Sequence, residues 1–461
     1  MPRLNYYYWT DVEITKDSLT ATPLTSSITS NLDLGKDNRT WNKEQLKALT
    51  LILCNLVMHH YLDNGIFLYS RKKLTVDKQF NPNEIGYSSL FTVLDKLDRA
   101  RILVDIPAPP RATGYNPKML SEFHATKEVL HLAISLNIFP KTVYLLDSPH
   151  VSLRDRSKKD ITYKSNVYTK HIEELMRRYC KHLNKQNIAQ MTDNNPDNII
   201  DFGSWYGGIK IHLHRRYKNW TDVDKLLPDI NKLNSKMSNP NFNLGGRSGG
   251  LWMSGLAGKK DNRKTIHING EETAIADFPC SHLNLCYKHE TGSWYQQETY
   301  QELKAEGREY EDGYMVSTKL DRDLVKKMIQ LMFNVKGRAS VSRVFNKWLY
   351  EEGNGEHRIN KMNSGYETIE IQEEIVKHHY KIKDYFYKGK IAGQVIQFEE
   401  ANLMFHIADQ FITGHDITTL TVHDELIVLK EHHAMVKDFM YTSGHCEVCN
   451  KYSLMSKIKD L

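Results

Sequence analysis

Apolar residues recur at two different periods along this chain, and each period predicts its own kind of element. Leucines at helical spacing predict one helix from 41 to 60 and another from 87 to 101, the second followed by a short strand at 102–106. A further helix is predicted where Ile172, Leu175, Met176 and Leu183 share one face. Towards the C-terminus, short strands alternate with helices, so the pattern as a whole predicts an α+β fold.

Shifts in composition divide the chain into four predicted regions. Residues 1–38, rich in Thr, Ser, Asn and Asp, are expected to form an irregular arm, and 39–150 a helical region. The polar run 152–164 predicts an exposed connection, and 151–240 is interpreted as a helical, thumb-like linker. Residues 241–461 are predicted to form one catalytic unit.

The order of elements in 39–150 is helix, basic helix, short strand and turn. That order is typical of a winged helix, a common nucleic-acid-binding unit. An ordinary helical subdomain fits the same pattern equally well, so both interpretations are kept.

Bulk properties narrow the class of protein only modestly. The chain has 461 residues, 40% of them hydrophobic and 26% charged, which is typical of a soluble globular protein with two or three domains. Its net charge of +6 suits a nucleic-acid partner but is common elsewhere. We find neither a bilayer-spanning stretch nor a signal peptide, and six cysteines are too few for a disulfide framework, so a cytoplasmic protein with no membrane partner is expected.

His445, Cys446 and Cys449 have part of a zinc spacing, but without a second pair we interpret them as incidental.

Two strand-like segments, far apart in the chain, each carry an aspartate. The first, 273–278, follows a short strand at 265–268 and the tight-turn signal Asn269-Gly270, so a hairpin is predicted with Asp277 at its end. A charge at the end of a strand is often only a solvated cap.

The second segment, 420–428, has His423, Asp424 and Glu425 between two apolar, β-prone flanks. We interpret it as a β-turn-β unit with an exposed tip, the alternative being a simple surface hairpin. Two carboxylates held in this way suit the binding of two Mg²⁺ or Mn²⁺ ions for phosphoryl or nucleotidyl transfer.

Two cation-rich segments complete the candidate chemistry. A helix is predicted at 322–334, where Arg322 and Lys326 lie one turn apart and could hold the β- and γ-phosphates of a nucleotide. The stretch 212–220 mixes cations, among them Arg215 and Arg216, with aromatic rings, a mixture that suits phosphate contact and base stacking. The alternative in both places is a solvated helix face.

The order of carboxylate strand, cationic helix and His-Asp hairpin resembles the three motifs of family-A DNA polymerases and single-subunit phage-type RNA polymerases. The first motif is similar to 277–283, the second to Arg322-x-x-x-Lys326 and the third to 422–425. The segment 244–252 resembles the glycine-arginine segment with which the RNA polymerase branch contacts its template, and a helix beginning at Gln397 fits before the third motif.

The resemblance implies a right-hand polymerase-like palm and fingers in the C-terminal half, with a mainly helical N-terminal region. It implies that Asp277 and Asp424 bind two Mg²⁺ or Mn²⁺ ions and that Lys326 acts on the triphosphate. The implied partners are nucleoside triphosphates and a nucleic-acid template and primer, with Arg247 on the template. The residues expected to bind substrate are Arg322, His282, Phe333, Asn334, His423 and Glu425.

The chain also departs from the pattern of that superfamily. His282 stands where the DNA polymerases carry glutamate and the RNA polymerases glycine, while Cys280-Ser281 matches the RNA polymerase pair. The cationic motif ends in Phe333-Asn334 rather than in an aromatic residue and glycine. The sequence therefore does not predict whether the product is DNA or RNA. A non-catalytic winged-helix binding protein and a two-metal nuclease remain as alternatives.

Overall fold

The computed structural model describes a mixed helix-and-sheet protein of the α+β class. It describes residues 12–14, 42–63, 66–69, 85–99, 103–106, 121–127, 130–131, 143–145, 150–154, 163–191, 199–202, 212–217, 242, 244–249, 251–253, 260–295, 312–351, 353–442, 447–451 and 453–460. No helix within these ranges is both long enough and apolar enough to cross a bilayer.

The described part of the N-terminal arm is a strand rather than an irregular segment. Strand β1 (Val12–Ile14) pairs antiparallel with β5 (Val143–Leu145), residue for residue. The arm was predicted irregular from its polar composition, but two short β-branched or aromatic segments that pair with each other outweigh that composition.

Two predicted helices of the 39–150 region are confirmed within a few residues. They are α1 (Lys43–Asp63) and α2 (Tyr87–Arg99). Between and after them lie β2 (Ile66–Tyr69), β3 (Leu103–Ile106) and β4 (Ser121–Ala125), which form an antiparallel sheet with β4 in the centre.

A second three-stranded sheet corrects two expectations for the region 151–240. Its strands are β6 (Val151–Arg154), β9 (His212–Tyr217) and β10 (Arg247–Gly249), with β9 in the centre. Residues 151–153 are buried, so the start of the polar run 152–164 is a core strand and not an exposed connection. The cation-aromatic stretch beginning at 212 is a strand, because β6 and β10 pair with it on both sides.

A six-stranded antiparallel sheet is the centre of the molecule, in the order β13-β14-β12-β11-β7-β8. Two of its strands come from the region expected to be a helical linker, which therefore contributes to the central sheet. The strands are β7 (Ile188–Met191), β8 (Ile199–Asp201), β11 (Ile266–Ile268), β12 (Glu271–Asp277), β13 (Thr419–Val422) and β14 (Glu425–Leu429).

Both predicted hairpins are confirmed in this sheet. Asn269 and Gly270, with φ of 56° and 84°, form the two-residue turn between β11 and β12. His423 and Asp424 form the corresponding turn between β13 and β14, since Val422 and Glu425 are partners in register.

Helices cover the sheet, and their starts follow local signals. The Asp321 carboxylate accepts the N–H groups of Asp323 and Leu324 and so caps α6 (Arg322–Asn334). Helix α10 (Lys390–His415) begins after Gly389, whose φ is 89°, and seven residues before the start at Gln397 that the sequence suggested. The remaining helices are α3 (Val167–Leu183), α4 (Lys260–Arg263), α5 (Ser281–Thr291), α7 (Arg338–Leu349), α8 (Gly355–Ser364), α9 (Thr368–His378), α11 (His433–Thr442) and α12 (Glu447–Asn450).

Alternate residues of the sheet belong to two hydrophobic cores. Ile427 packs in the core that includes α1, α2 and α3, while Leu426 and Val428 pack in the core that includes α5, α6 and α7. Helix α10 supplies both, with Phe398 in the first and Leu403 in the second. A helix that is apolar on all sides must be buried on all sides, and α10 therefore joins the two cores.

Candidate functional site

The structure brings Asp277 and Asp424 together at one end of the central sheet. Asp277 is the last residue of β12 and is the register partner of Glu425, while Asp424 lies in the adjoining β13–β14 turn. The N–H of Phe278 donates to the carbonyl oxygen of Asp424 at 2.9 Å. Asp277 is exposed and Asp424 half-buried, so both carboxylates are accessible at a point where the backbone is fixed.

Left-handed backbone lies beside each of these aspartates. His423 has a φ of 56° immediately before Asp424, and Cys280 has a φ of 53° three residues after Asp277. Non-glycine residues in this region cost on the order of 1–3 kcal/mol and cluster at functional sites. The surrounding structure imposes both conformations, which no local sequence signal indicated.

Two aromatic side chains fix the hairpin that carries Asp424. The Tyr179 hydroxyl donates to the carbonyl of Thr419 and accepts the N–H of Thr421 at 3.0 Å. From the segment after β10, Trp252 Nε1 donates to the carbonyl of Thr421 at 3.1 Å. These bonds occupy backbone groups on the outer side of β13, the edge strand, and burial raises the pKa of Tyr179. Sequence reasoning missed both residues, whose only signal is an apolar body with a polar tip.

The N-terminal end of α6 is linked to the aspartates through Tyr314. The Arg322 guanidinium lies 5.2 Å from the centre of the Tyr314 ring and pairs with Asp312, and Lys326 Nζ lies 5.8 Å from the same ring. Burial raises the pKa of the Tyr314 hydroxyl, and the neighbouring Cys280 and the negative charge of Asp424 act in the same direction. The two cations predicted to act on phosphates therefore flank a tyrosine on which the charge of Asp424 acts. Tyr314 itself was not predicted.

Glu425, expected to contact substrate, is held in an ion pair. Its Oε2 lies 2.8 Å from Nη1 of Arg263, and the two side chains are only 12% and 16% exposed. Among the described residues, no group of three His, Cys, Asp or Glu side chains is arranged to hold a metal ion. Two aspartates alone fit Mg²⁺, which is commonly bound by one or two carboxylates together with water and substrate phosphates.

His282 faces a buried carboxylate rather than solvent alone. Its Nε2 lies 3.3 Å from Oε1 of Glu400, an α10 residue whose side chain is 2% exposed. The Ser281 hydroxyl donates to the same oxygen at 2.6 Å. This buried carboxyl group beside Ser281 and His282 was missed, because it comes from a helix distant in sequence.

Phe333 and Asn334, predicted to bind substrate, are the last two residues of α6 and pack against neighbouring segments. The Phe333 ring is fully buried, lies 5.1 Å from the Phe386 ring and contacts His282 edge-on. Asn334 donates to the carbonyl of Gln330, and its Oδ1 would lie 2.1 Å from a Cβ at Gly393. A Cβ at 393 would therefore displace the Asn334 amide, which packs directly against the α10 backbone.

The three arginines predicted to bind nucleic acid converge on the β10-β9-β6 sheet. Arg247 begins β10, and its register partner in β9 is His214, next to Arg215 and Arg216. The side chains of these arginines lie outside the described part of the chain, as do His445, Cys446 and the side chain of Cys449.

A buried histidine fixes the loop that carries Tyr314. His379 Nε2–H donates to the carbonyl of Gly313 at 2.8 Å, and the Tyr287 hydroxyl donates to Nδ1 at 3.2 Å. Burial lowers the pKa of His379 to about 4. The imidazole is therefore neutral at neutral pH, and both ring nitrogens have partners that suit the neutral form.

An exposed row of cations follows the outer face of α7. Arg343 and Lys347 lie one turn apart, and neither forms an ion pair with a described acidic side chain. Tyr350 continues the row with 74% exposure, and the Arg358 guanidinium lies 5.5 Å from the centre of its ring. We call these four residues the α7 stripe.

Comparison with family models, with curated proteins and with solved structures finds no match for this chain. The class of site therefore has to be argued from its own chemistry. That chemistry consists of two carboxylates on adjoining strand ends, two cations on a neighbouring helix and an exposed cationic surface.

Proposed function

We propose that the protein is a polymerase-type nucleotidyltransferase that adds nucleotides to a nucleic-acid 3′ end. One observation carries the proposal. Asp277 and Asp424 meet at the end of the sheet, and the charge of Asp424 acts on the tyrosine that Arg322 and Lys326 flank. In this interpretation the central sheet is the palm of a right-hand polymerase and helices α6–α9 are its fingers.

Asp277 and Asp424 are the proposed ligands of two Mg²⁺ or Mn²⁺ ions. When bound, the two ions lower the pKa of the primer 3′-hydroxyl and neutralise charge on the departing pyrophosphate. The chain supplies Asp424 from a hairpin whose edge strand is bonded to Tyr179 and Trp252, and Asp277 from the neighbouring strand β12. Such rigidity keeps the reacting atoms in line.

Lys326 and Arg322 are the proposed triphosphate contacts. In the reaction the 3′-hydroxyl loses its proton to solvent and its oxygen bonds to the α-phosphorus, while the bond to the bridging oxygen breaks and that oxygen leaves on pyrophosphate with the electron pair. Lys326 is exposed on the same helix face and can neutralise this charge or donate a proton to it. The ion pair between Arg322 and Asp312 orients the guanidinium beside Tyr314.

Template and primer are the proposed macromolecular partners. The α7 stripe offers cations and an exposed ring, which together bind single strands through phosphate contact and base stacking. The backbone convergence of Arg247, Arg215 and Arg216 on one small sheet favours a second contact region.

One observation favours a second candidate, a non-catalytic winged-helix nucleic-acid-binding protein. In the 39–150 region, helices and strands alternate as α1-β2-α2-β3-β4, and β4 lies between β2 and β3. This order agrees with the winged-helix interpretation of the sequence. The same unit would serve a polymerase as a template-binding module.

An incorporation assay tests the proposal. The wild-type protein and Asp424→Asn are incubated with Mg²⁺ or Mn²⁺ and each labelled dNTP or NTP, with and without template and primer. We expect Asp424→Asn to abolish incorporation while thermal unfolding and nucleic-acid binding stay near wild type, because the amide keeps the shape of the side chain and removes its charge. Asp384→Asn, which neutralises an exposed carboxylate outside the site, is the matched control.

The outcomes separate the candidates. Full incorporation by Asp424→Asn would contradict the metal assignment. Cleavage of nucleic acid without incorporation would identify a two-metal nuclease. Nucleic-acid binding by a wild-type protein that neither extends nor cleaves would favour the winged-helix alternative.

A further inference from the structure

A third carboxylate lies at the aspartate turn, and its charge is already compensated. Glu425 follows Asp424 directly and is the register partner of Asp277, so three acidic residues meet at two adjoining strand ends. Carboxylate oxygens are the ligands that divalent cations such as Mg²⁺ prefer, yet these three described side chains are not arranged to hold one ion together. The ion pair with Arg263 instead occupies a Glu425 oxygen, at 2.8 Å.

Hydrogen bonds to the residue before Arg263 hold the end of α4 against the central sheet. Arg263 ends the four-residue helix α4, and the turn after it is closed by the N–H of Thr265, which donates to the carbonyl of Asn262 at 3.1 Å. Gln190 of β7, 1% exposed, donates its side-chain amide to the same carbonyl. The residue before Arg263 is thus bonded to strand β7 and to the residue that leads into β11, both in the sheet that carries the aspartates.

The Arg263–Glu425 ion pair is partly buried, with side chains 16% and 12% exposed. Removing two charges from water costs about as much as their attraction returns, so such a pair contributes little net stability. Here one partner borders the proposed metal ligands, and the other comes from a short helix with no other predicted role.

We propose that Arg263 is a positioning residue that withdraws Glu425 from the metal ligands, so that Asp277 and Asp424 alone face the two cations. The proposal rests on the two-cation site of the proposed function. Arg263 also places a positive charge beside that site, which weakens cation binding. With Glu425 withdrawn, coordination positions remain for water and substrate phosphates.

The test measures Mn²⁺ binding in the absence of nucleotide, from the electron paramagnetic resonance signal of unbound Mn²⁺. Arg263→Gln removes a repelling charge and releases Glu425, so we expect Mn²⁺ to bind about tenfold more tightly, a change of about 1.4 kcal/mol. Glu425→Gln leaves the charge of Arg263 uncompensated and is expected to weaken binding. The double variant should return close to wild type.

Tighter Mn²⁺ binding by Arg263→Gln together with weaker binding by Glu425→Gln distinguishes a positioning role of Arg263 from a structural one. If the ion pair only supported the fold, both single variants would disturb the turn and weaken Mn²⁺ binding. Arg263→Lys keeps the charge but not the planar fork of donors and should lie between wild type and Arg263→Gln. That variant keeps the test decisive if Arg263→Gln does not fold.

The failures of the two proposals can be told apart. Unchanged or weaker Mn²⁺ binding by Arg263→Gln and Arg263→Lys, with Asp424→Asn still abolishing binding, overturns the role of Arg263 and leaves the two-aspartate site standing. A wild-type protein without Asp424-dependent Mn²⁺ binding overturns both.

Discussion

The β13–β14 hairpin and the α7–α8 pair present their polar groups in opposite ways. All four residues of β13 are buried, and side chains from two other segments bond to its outer backbone. Helix α8 has no buried residue at all, and α7 buries only Val341, Phe345 and Leu349 while exposing Arg343 and Lys347. The difference suits their proposed tasks, because metal ligands need fixed geometry whereas phosphate attraction needs mainly charge.

Helix α6 combines both properties. Six of its residues are buried, including Leu324, Met328 and Phe333, so its axis is fixed against the core. The opposite face carries the exposed Lys326. If rigid placement and exposed charge are both needed for catalysis, substitutions here should have the largest effect among changes away from the aspartates.

Lys326→Ala should reduce the rate of incorporation by about 10²–10³, because a positioned charge that stabilises the transition state is typically worth that factor. Single-turnover measurements at saturating nucleotide separate this effect from binding. Lys327→Ala is the matched control, since Lys327 is the next residue, carries the same charge and points to the Trp348 ring instead, at 5.1 Å. Equal losses in both variants would show that only the net charge of α6 matters.

Tyr179→Phe tests the rigid placement of the β13–β14 hairpin. The change leaves the buried Thr421 N–H and Thr419 carbonyl without the hydroxyl, at a cost of about 1–3 kcal/mol in the free energy of unfolding. Denaturant unfolding measures this cost, and incorporation should fall as well because the Asp424 turn loses its anchor. Tyr380→Phe, at an exposed tyrosine, should change neither quantity. Lost stability with unchanged incorporation would mean that the turn does not depend on this anchor.

Local signals in the sequence predicted the elements of the site. Both hairpins were foreseen because alternation and the Asn269-Gly270 turn are encoded within a few residues. The helical period placed α6 correctly, and it could also have placed Phe333, since Val325, Ile329 and Phe333 recur every fourth residue on the buried face. The substrate role predicted for Phe333 came from the resemblance and overlooked this spacing.

Contacts between distant segments could not be predicted. Tyr179 and Thr421 are 242 residues apart and Arg263 and Glu425 are 162 residues apart, and one sequence contains no signal that pairs them. Strand β9 was open to interpretation as a helix because its polar residues have no clear period. Pairing with β10 and β6 decides its structure, which is the usual dependence of strands on their neighbours.

The smallest expected effect comes from substitutions in the α7 stripe, which is exposed to solvent. Arg343→Glu with Lys347→Glu should weaken binding of single-stranded nucleic acid and reduce the dependence of log affinity on log salt by about 1.4, since each lost phosphate contact contributes about 0.7. Fluorescence anisotropy across a salt series measures this slope. Lys170→Glu with Lys181→Glu changes the net charge equally at two exposed α3 lysines and should leave the slope near wild type. Because the α7 stripe is open to solvent, the free energy of unfolding and the incorporation rate at saturating template should hardly change in either double variant. A reduced slope in both would show that the stripe acts only through net charge, and an unchanged slope in both would remove it from the template path.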